Sequence, residues 1–505
     1  MRWLSAARHE LVFHYRARIV HAYVVVTLLF IGVVRFLPAD LRSLAVPVAI
    51  FSELATMGTF FVCGVVMLER SQGTLDSLMV TPLRLWEYLT VKSSVFTLMG
   101  AAASFFIAFA TSGLEVHGGL LVVGVALTSC VFLLLGLMIS ARVADVSQFF
   151  VRAVPRLVPV VLLLYFVPAL DYLGVNTPTV VALFPGTAAL TLIGGAFGTP
   201  LPDAASIIGA VVLLVAWVGI AALGAATWFR RYVREKGHEP GITPPAASGS
   251  RAHRIPTTTS KPTTASRVLS LLRADLRSTL RDPLLLMPAV VPVLLALFVE
   301  YAVPWMRSQL LLHWEIDILP YYDFVTSAFI LLIPLVTGAV VGFMILDERD
   351  EGTLLQLSVS PLGKAGYLRY RMAMPTVVGF VMGTAAVLLT APLPISPGRI
   401  IAVMLVSSIK APLMTLFLGT YSPSKVEGIA LSKVANALIL VPIAVYFIPV
   451  RWELAMLPFG PYWVMRAVQV AAGPASLFYR YIAVTAAVNL SWLAVLSRSF
   501  SRRAT

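Results

Sequence analysis

Two polar stretches separate long apolar runs in this sequence, and they are nearly identical. Residues 69–83 read ERSQGTLDSLMVTPL, and residues 348–362 read ERDEGTLLQLSVSPL. When 68–83 is aligned without gaps to 347–362, nine of sixteen positions are identical. Glu, Arg, Gly, Thr and Pro at matched spacing are suited to ion pairing, turning and helix capping, not to breaking covalent bonds. The repetition favours docking of two partners, or of a dimer.

Each polar stretch is expected to form a short helix across the cytoplasmic end of two membrane spans. In the first copy, Glu69 and Arg70 end a span, Gly73 allows a sharp turn, Thr74 caps a short helix and Pro82 stops it. The alternative is an ordinary hairpin turn, which also needs Gly and Pro. The corresponding residues of the second copy are Glu348, Arg349, Gly352, Thr353 and Pro361.

Two further charged residues, Lys410 and Glu53, fall inside apolar runs. An unpaired charge in the middle of a bilayer costs at least about 2.5–3.5 kcal/mol. We therefore expect both side chains to face the interior of the helix bundle or a watery cavity, where they could line a substrate path. An internal ion pair or snorkelling to the membrane surface is the alternative.

The sequence predicts no catalytic residue, no metal site and no cofactor bound by this chain. The two cysteines are far apart, the seven histidines are scattered, and neither forms a cluster with metal-ligand spacing. There is no phosphate-binding GxxxxGK[ST] sequence and no soluble stretch long enough for an ATPase. Most of the net charge of +14 lies beside membrane segments, which indicates cytoplasmic flanks rather than nucleic-acid binding.

Composition indicates the elements that must position these residues. The chain has 505 residues, 59% hydrophobic and 12% charged, whereas soluble domains carry roughly 25% charged residues. Apolar runs of about 20 residues recur throughout, which is the length of a membrane-spanning helix. About twelve spans are predicted, near 20–37, 45–68, 93–112, 119–140, 157–174, 205–228, 284–304, 323–346, 373–392, 399–420, 434–450 and 478–497.

The distribution of Lys and Arg predicts the orientation of these spans. Basic residues are frequent in the N-terminal segment and in the loops after the second, fourth and sixth spans. Intervening loops such as TSGLEVHGG contain no Lys or Arg. Because cytoplasmic loops carry the excess of basic residues, both termini are predicted to be cytoplasmic. We accordingly expect a multi-pass protein of the cell's inner (cytoplasmic) membrane.

The chain is predicted to contain two membrane domains, 1–228 and 268–505, joined by a basic linker, 229–267, rich in Pro, Ser and Thr. Such a linker is expected to be disordered in the cytoplasm. Each half begins with an amphipathic helix expected to lie in the membrane plane. Because each half has six spans, the two halves insert in the same orientation, as in parallel-repeat transporters. The apolar segments 175–204 and 451–477 are expected to re-enter the membrane.

These features resemble the permease subunit of a type-2 ABC exporter, in particular the fluoroquinolone-type drug export permeases. The resemblance rests on Glu-Arg-x-x-Gly-Thr-Leu with Pro nine residues after the Gly, and on Tyr-Leu-x-x-Lys/Arg at the start of the next span. Segment 424–449, SKVEGIALSKVANALILVPIAVYFIP, is also similar. The resemblance covers both halves, whereas family permeases commonly have six spans and pair as dimers.

The resemblance implies that the short cytoplasmic helices are coupling helices, each seated in a groove of a nucleotide-binding ATPase subunit. Two such subunits are expected per chain, and ATP and Mg²⁺ are expected on those partners. The implied activity is export of a hydrophobic or amphipathic drug-like molecule, lipid or peptide. Ser71-Gln72 in the first copy correspond to Asp350-Glu351 in the second. Whether the two loops bind their ATPase subunits equally therefore stays open.

Two other classes are compatible with a polytopic chain. A proton-coupled transporter of the major facilitator type also has twelve spans, but the arginine-rich GxxxDRxGRR-like loop is missing from this sequence. Glu53 and Lys410 would be its titratable groups, and neither has a counterpart in the other half. An integral-membrane prenyl or glycosyl transferase would need an Asp-rich metal-diphosphate site in the cytoplasmic loops, and the sequence has none. The exporter permease is the interpretation we retain.

Overall fold

The computed structural model describes the chain in thirteen stretches: residues 2–16, 19–36, 39–71, 85–113, 116–140, 168, 179–197, 202–236, 287–315, 317–350, 363–390, 395–446 and 450–503. Within these ranges helices are the only regular secondary structure. Because a helix satisfies its own backbone hydrogen bonds, it is the form expected for continuous apolar runs in lipid.

Upstream of the predicted linker, the described residues form eight α-helices. They are α1 (Arg2–Arg16), α2 (Ile19–Phe36), α3 (Ala39–Thr56), α4 (Val62–Ser71), α5 (Leu85–Ser112), α6 (Gly118–Ser140), α7 (Pro185–Gly195) and α8 (Ala204–Lys236). A π-helical turn at Met57–Phe61 joins α3 to α4, and a 3-10 turn at Thr179–Leu183 precedes α7.

Downstream of the linker, the described residues form nine α-helices. They are α9 (Met287–Leu297), α10 (Val303–Trp314), α11 (Tyr322–Asp350), α12 (Gly363–Thr390), α13 (Pro397–Ser408), α14 (Lys410–Tyr421), α15 (Lys425–Ala437), α16 (Gly460–Gln469) and α17 (Ala475–Arg503). A π-helical turn at Phe298–Ala302 joins α9 to α10, and 3-10 segments occur at Leu319–Tyr321, Leu438–Tyr446 and Val450–Met456.

The prediction of an all-α polytopic membrane protein is confirmed. Within the described ranges, nine helices are long and apolar enough to cross a membrane, and a tenth results if α1 and α2 count as one broken span. The axes of those two helices differ by 70°. That bend is consistent with an amphipathic α1 lying along the membrane surface before α2 crosses it. The corresponding helix predicted for the second half falls outside the described residues.

The remaining two of the twelve predicted spans differ from the other ten. The fifth, 157–174, lies outside the described residues except for position 168. The eleventh, 434–450, is not one α-helix, because α15 ends at Ala437 and a 3-10 segment follows it. Pro442 lies in that segment, and a proline removes a backbone donor and clashes with the preceding turn of an α-helix. The parallel-repeat relation of the two halves stays a prediction.

The predicted linker begins later than expected. Helix α8 continues through residues 229–236, whereas this stretch was predicted to be the start of the linker. Arg and Lys are good helix formers, and the first proline after the span is Pro240, so nothing in 229–236 stops the helix. The rest of the linker, and with it the predicted disorder, lies outside the described residues.

Two short helices fill the interior of their halves. Helix α7 is buried at nearly every position and packs against α3, α6 and α8. Helix α16 packs against α11 and α17. Each follows a 3-10 segment and starts at a proline-containing turn. These are the segments predicted to re-enter the membrane, and their burial against neighbouring spans is what such a segment requires.

Small residues bring the spans close together. A Cβ atom at Gly338 of α11 would lie 2.8 Å from Cα of Ala411 in α14 and would clash with the carbonyl of Ala411. The Thr415 hydroxyl donates to the Gly338 carbonyl at 2.9 Å. Membrane helices gain little from hydrophobic contact in lipid, so this kind of close backbone approach is a main source of their association.

Candidate functional site

The first polar stretch begins at a buried ion pair. Glu69, near the end of α4, accepts a hydrogen bond from the Tyr88 hydroxyl at 2.7 Å and one from the Lys92 ammonium at 2.6 Å. Tyr88 and Lys92 both lie on α5, and the ammonium also lies 5.1 Å from the centre of the Tyr88 ring. The side chain of Lys92 is only 1% exposed. This cluster ties together the two helices that flank the first polar stretch.

The second polar stretch begins at the same arrangement. Glu348 of α11 accepts hydrogen bonds from the Tyr367 hydroxyl and the Arg371 guanidinium, both on α12. The tyrosine follows the glutamate by 19 residues and the cation follows it by 23 residues in both halves. The Arg371 guanidinium also lies 5.5 Å from the Tyr367 ring centre. Two Glu–Tyr–cation clusters, 69–88–92 and 348–367–371, therefore hold the bases of the two predicted loops.

Sequence reasoning placed the glutamates at the loops but missed their partners. The tyrosines and the cations were recognised only as a repeated Tyr-Leu-x-x-Lys/Arg pattern at the start of the next span. That pattern was the available signal. On a helix, positions four apart share one face, so both side chains can reach one carboxylate on the neighbouring span.

Burial gives the clusters their rigidity. The pKa of Glu69, which lies just beyond the span Ala45–Met67, is raised by burial despite the opposing charge of Lys92. Hydrogen bonds between ionised groups are roughly twice as strong as neutral ones. Removing one partner of a buried pair leaves an uncompensated charge and costs about 3–5 kcal/mol. The helices that meet at each cluster are therefore held in one relative position.

The two clusters differ in what else they hold. Lys92 also donates to the Glu10 carboxylate at 2.6 Å, so one ammonium serves two carboxylates and anchors α1. In the second half, Arg349 instead donates to the backbone carbonyl of Ser422 at the end of α14. The first cluster is thus linked to the N-terminal helix, and the second to the loop after α14.

The other predicted coupling residues lie wholly or partly outside the described residues. Arg70 lies in α4, but its side chain is outside the described residues. The loop residues also lie outside them, namely Gly73, Thr74, Pro82, Gly352, Thr353 and Pro361. The predicted coupling helices themselves therefore stay predictions.

Glu53 pairs with a cation from the other half of the chain. The Lys433 ammonium of α15 donates to the Glu53 carboxylate of α3 at 2.9 Å. The same ammonium lies 5.1 Å from the Tyr23 ring centre and 5.2 Å from that of Phe61. Helix α15 packs on α2 and α4 of the first half. Glu53 thus has the internal ion pair that was the alternative to a place on a substrate path, and that pair joins the two halves.

Lys410 has a different environment from Glu53. It is 5% exposed, begins α14, and donates to the Asn489 side-chain oxygen of α17 at 3.1 Å. Within the described part of the chain, no carboxylate forms a salt bridge with it. It borders a cavity of about 510 Å³ in the second half.

The described residues contain no group of three His, Cys, Asp or Glu able to hold a metal ion.

Comparison with known proteins gives the chain a family. Residues 1–237 match the fluoroquinolones export permease protein family, and residues 275–497 match the family described as fluoroquinolones export permease protein Rv2686c-like. The fluoroquinolones export permease protein Rv2686c of Mycobacterium tuberculosis is 31% identical over 233 residues, which are 45% of this chain and 91% of that relative. The chain belongs to the fluoroquinolones export permease family.

A second relative in this family is the fluoroquinolones export permease protein Rv2687c of Mycobacterium tuberculosis. It is 33% identical over 196 residues, which are 39% of this chain and 81% of that relative. Each permease relative is therefore about half as long as this chain. No solved structure matches the chain. Family membership and the apolar helices together make it a multi-pass membrane permease.

The buried clusters lead to a prediction about stability. Arg371→Met should lower the unfolding temperature of the purified permease by several degrees, because Glu348 loses its charged partner; the cost should approach about 3–5 kcal/mol. Arg369→Met is the matched control, since Arg369 lies on the same helix but is exposed. Thermal unfolding followed by tryptophan fluorescence measures both. Equal unfolding temperatures for the two variants would show that the cluster does not stabilise the fold.

The pair between the halves leads to a second prediction. Glu53→Gln and Lys433→Gln should each destabilise the permease, and the double variant should be clearly more stable than the sum of the two effects predicts. This follows because each single change strands a buried charge, whereas the double change removes both. Unfolding in a graded detergent series gives the coupling between the two positions. Additive effects would mean that the two side chains do not interact.

Proposed function

We propose that this chain is the membrane permease subunit of an ATP-driven exporter, powered by nucleotide-binding subunits encoded separately. The two polar stretches would each dock one such subunit. ATP and Mg²⁺ would bind to those partners, and this chain would carry out no bond chemistry. The protein would reside in the cytoplasmic membrane with both termini in the cytoplasm, as the distribution of basic residues predicts.

The observation that carries this proposal is the pair of Glu–Tyr–cation clusters. A loop can transmit force from a partner only if its two ends are fixed to the membrane helices. Glu69 joins α4 to α5, and Glu348 joins α11 to α12, at the base of the two loops that share the repeated sequence. An ordinary hairpin turn would not need the same buried cluster twice.

The size of the relatives supports a single-chain permease. Two permease families match separate halves of this chain, and each relative is about half its length. We infer that one chain supplies both membrane halves and binds two ATPase subunits. Closure of those subunits on ATP would pull on both loops and rock the halves against each other. The Glu53–Lys433 ion pair lies between the halves and would be strained by this motion.

The cargo is proposed from the names of the relatives. Those proteins are named as exporters of fluoroquinolones, and the same class of molecule is the first to examine here. A drug-like, hydrophobic or amphipathic molecule agrees with the apolar lining of the cavity beside Lys410. Transport can be measured as ATP-dependent accumulation of a fluoroquinolone in inverted membrane vesicles.

Cross-linking tests the proposed docking sites. In the native host membrane, Thr74→Cys and Thr353→Cys should each become joined to an ATPase by a reagent that carries one maleimide and one photoreactive group, and mass spectrometry should identify that partner. Gly398→Cys is the matched control, because residue 398 is predicted to lie on the outer side and a Cβ there meets nothing within 4 Å.

The result depends on which positions react. Products from positions 74 and 353, with none from 398, would support the proposal. Absence of any nucleotide-binding protein among the products from 74 and 353 would contradict it. Products from only one of the two loops would contradict engagement of two ATPase subunits and would restrict coupling to that half.

A further inference from the structure

The second half contains a cavity whose size suits a small molecule. Its volume is about 510 Å³, within the range of roughly 300–1,000 Å³ that is usual for ligand pockets. It lies among α11, α14, α15, α16 and α17, and its wall is almost entirely apolar. Val434 and Ala435 contribute to that wall, and they follow directly after Lys433, which contacts the first half. The cavity therefore borders the contact between the two halves.

Among the described residues that line this cavity, Lys410 is the one cationic side chain. Its ammonium has three N–H donors, and it makes one hydrogen bond to a described residue, the 3.1 Å bond to the Asn489 oxygen. The Asn489 amide nitrogen is committed to the Val406 carbonyl at 3.0 Å, which fixes the orientation of the amide. The described residues thus leave donor capacity on a buried cation that borders an apolar cavity.

Close packing at Gly460 and a helix break fix the position of Lys410. A Cβ atom at Gly460 would lie 2.9 Å from the Lys410 nitrogen and would clash with the Asn489 oxygen, so a larger residue there would push these two hydrogen-bonded side chains aside. Helix α13 ends at Ser408 and α14 begins at Lys410, and Pro412 lies within the first turn of α14. Pro412 has no backbone N–H to donate to the preceding turn, and this accounts for the break between α13 and α14.

Aromatic and aliphatic side chains form the rim. Trp492 and Val495 of α17 are about half exposed and lie beside the cavity, as does Phe459 before α16. In a membrane protein, exposed apolar residues on a span face lipid. These residues therefore provide a route by which a molecule dissolved in the bilayer could enter the cavity.

We propose that this cavity binds an amphiphile with an apolar body and a single carboxylate, which accepts a hydrogen bond from the Lys410 ammonium. The described part of the wall has one ammonium and no arginine, which matches a monoanion, whereas a phosphate group is usually held by several donors or a bidentate arginine. The proposal adds a class of cargo to the proposed function. It rests on that function in one respect: the bound molecule is taken to be the exported cargo.

Two sources could supply such a carboxylate: a membrane fatty acid or an aromatic carboxylic acid taken up from solution. The test uses one fluorescent probe for each, cis-parinaric acid and 9-anthracenecarboxylic acid, together with the methyl ester of each. Binding is measured to the purified full-length chain in nanodiscs, without nucleotide or partner. We expect one or both acids to bind about tenfold or more tightly than their esters.

Two variants and one control locate the site. Lys410→Met should abolish the preference for acid over ester and leave ester binding unchanged, because only the charge contact is lost. Asn489→Asp keeps Lys410 but gives it an internal carboxylate, so it should reduce acid binding to the level of the ester. Arg369→Met, an exposed cation elsewhere, should leave the preference intact. Unfolding temperatures establish that each variant is folded.

Each outcome decides the proposal. A Lys410-dependent preference for the fatty acid, the aromatic acid or both supports the site and identifies the source. Equal binding of acids and esters, no binding, or an acid preference that persists in both Lys410→Met and Asn489→Asp overturns it. Since no ATPase is present, failure here leaves the cross-linking test of the two loops unaffected.

Discussion

The architecture depends on a few charged side chains that are largely buried and must therefore be paired. At the base of each repeated loop, a buried glutamate is satisfied by a tyrosine and a cation from the next helix. A buried carboxylate without these partners would carry a large desolvation cost, so the helices on both sides must stay in register. Because the loops begin at these clusters, any movement imposed on a loop is passed to two membrane helices together.

Further polar contacts join the second polar stretch to α14 and the second half to the first. Arg349 joins the second cluster to the loop after α14, and α14 begins with Lys410. Lys433 on the next helix reaches Glu53 in the first half. Arg349 thus ties the second polar stretch to the end of α14, Lys433 ties the second half to the first, and Lys410 at the start of α14 borders the cavity. Coupling through these contacts would need elements with two discrete arrangements, and the halves are the candidates.

Sequence patterns predicted the helices well because long apolar runs leave little choice in lipid. They differed from the structure at the 3-10 segment around Pro442 and at the continuation of α8 to Lys236, where the local effects of proline and of good helix formers were not taken into account. The repeated Glu-Arg and Tyr-Leu-x-x-Lys/Arg patterns were visible in the sequence, but not the contact between Glu69 and Lys92. Glu53 and Lys433 lie 380 residues apart, and nothing in a single sequence indicates that they meet. Lys410 was found because a lysine in an apolar run is itself informative.

The proposed exporter requires both repeated loops to move together under the action of an ATPase. Spin labels on Thr74→Cys and Thr353→Cys, in the permease copurified with its ATPase partner, give the distance between the loops by pulsed electron resonance. Adding ATP under non-hydrolysing conditions should shift this distance distribution, and Arg371→Met, which releases one loop base from its cluster, should weaken the shift. An identical distribution with and without ATP would rule out ATP-driven movement of the two loops.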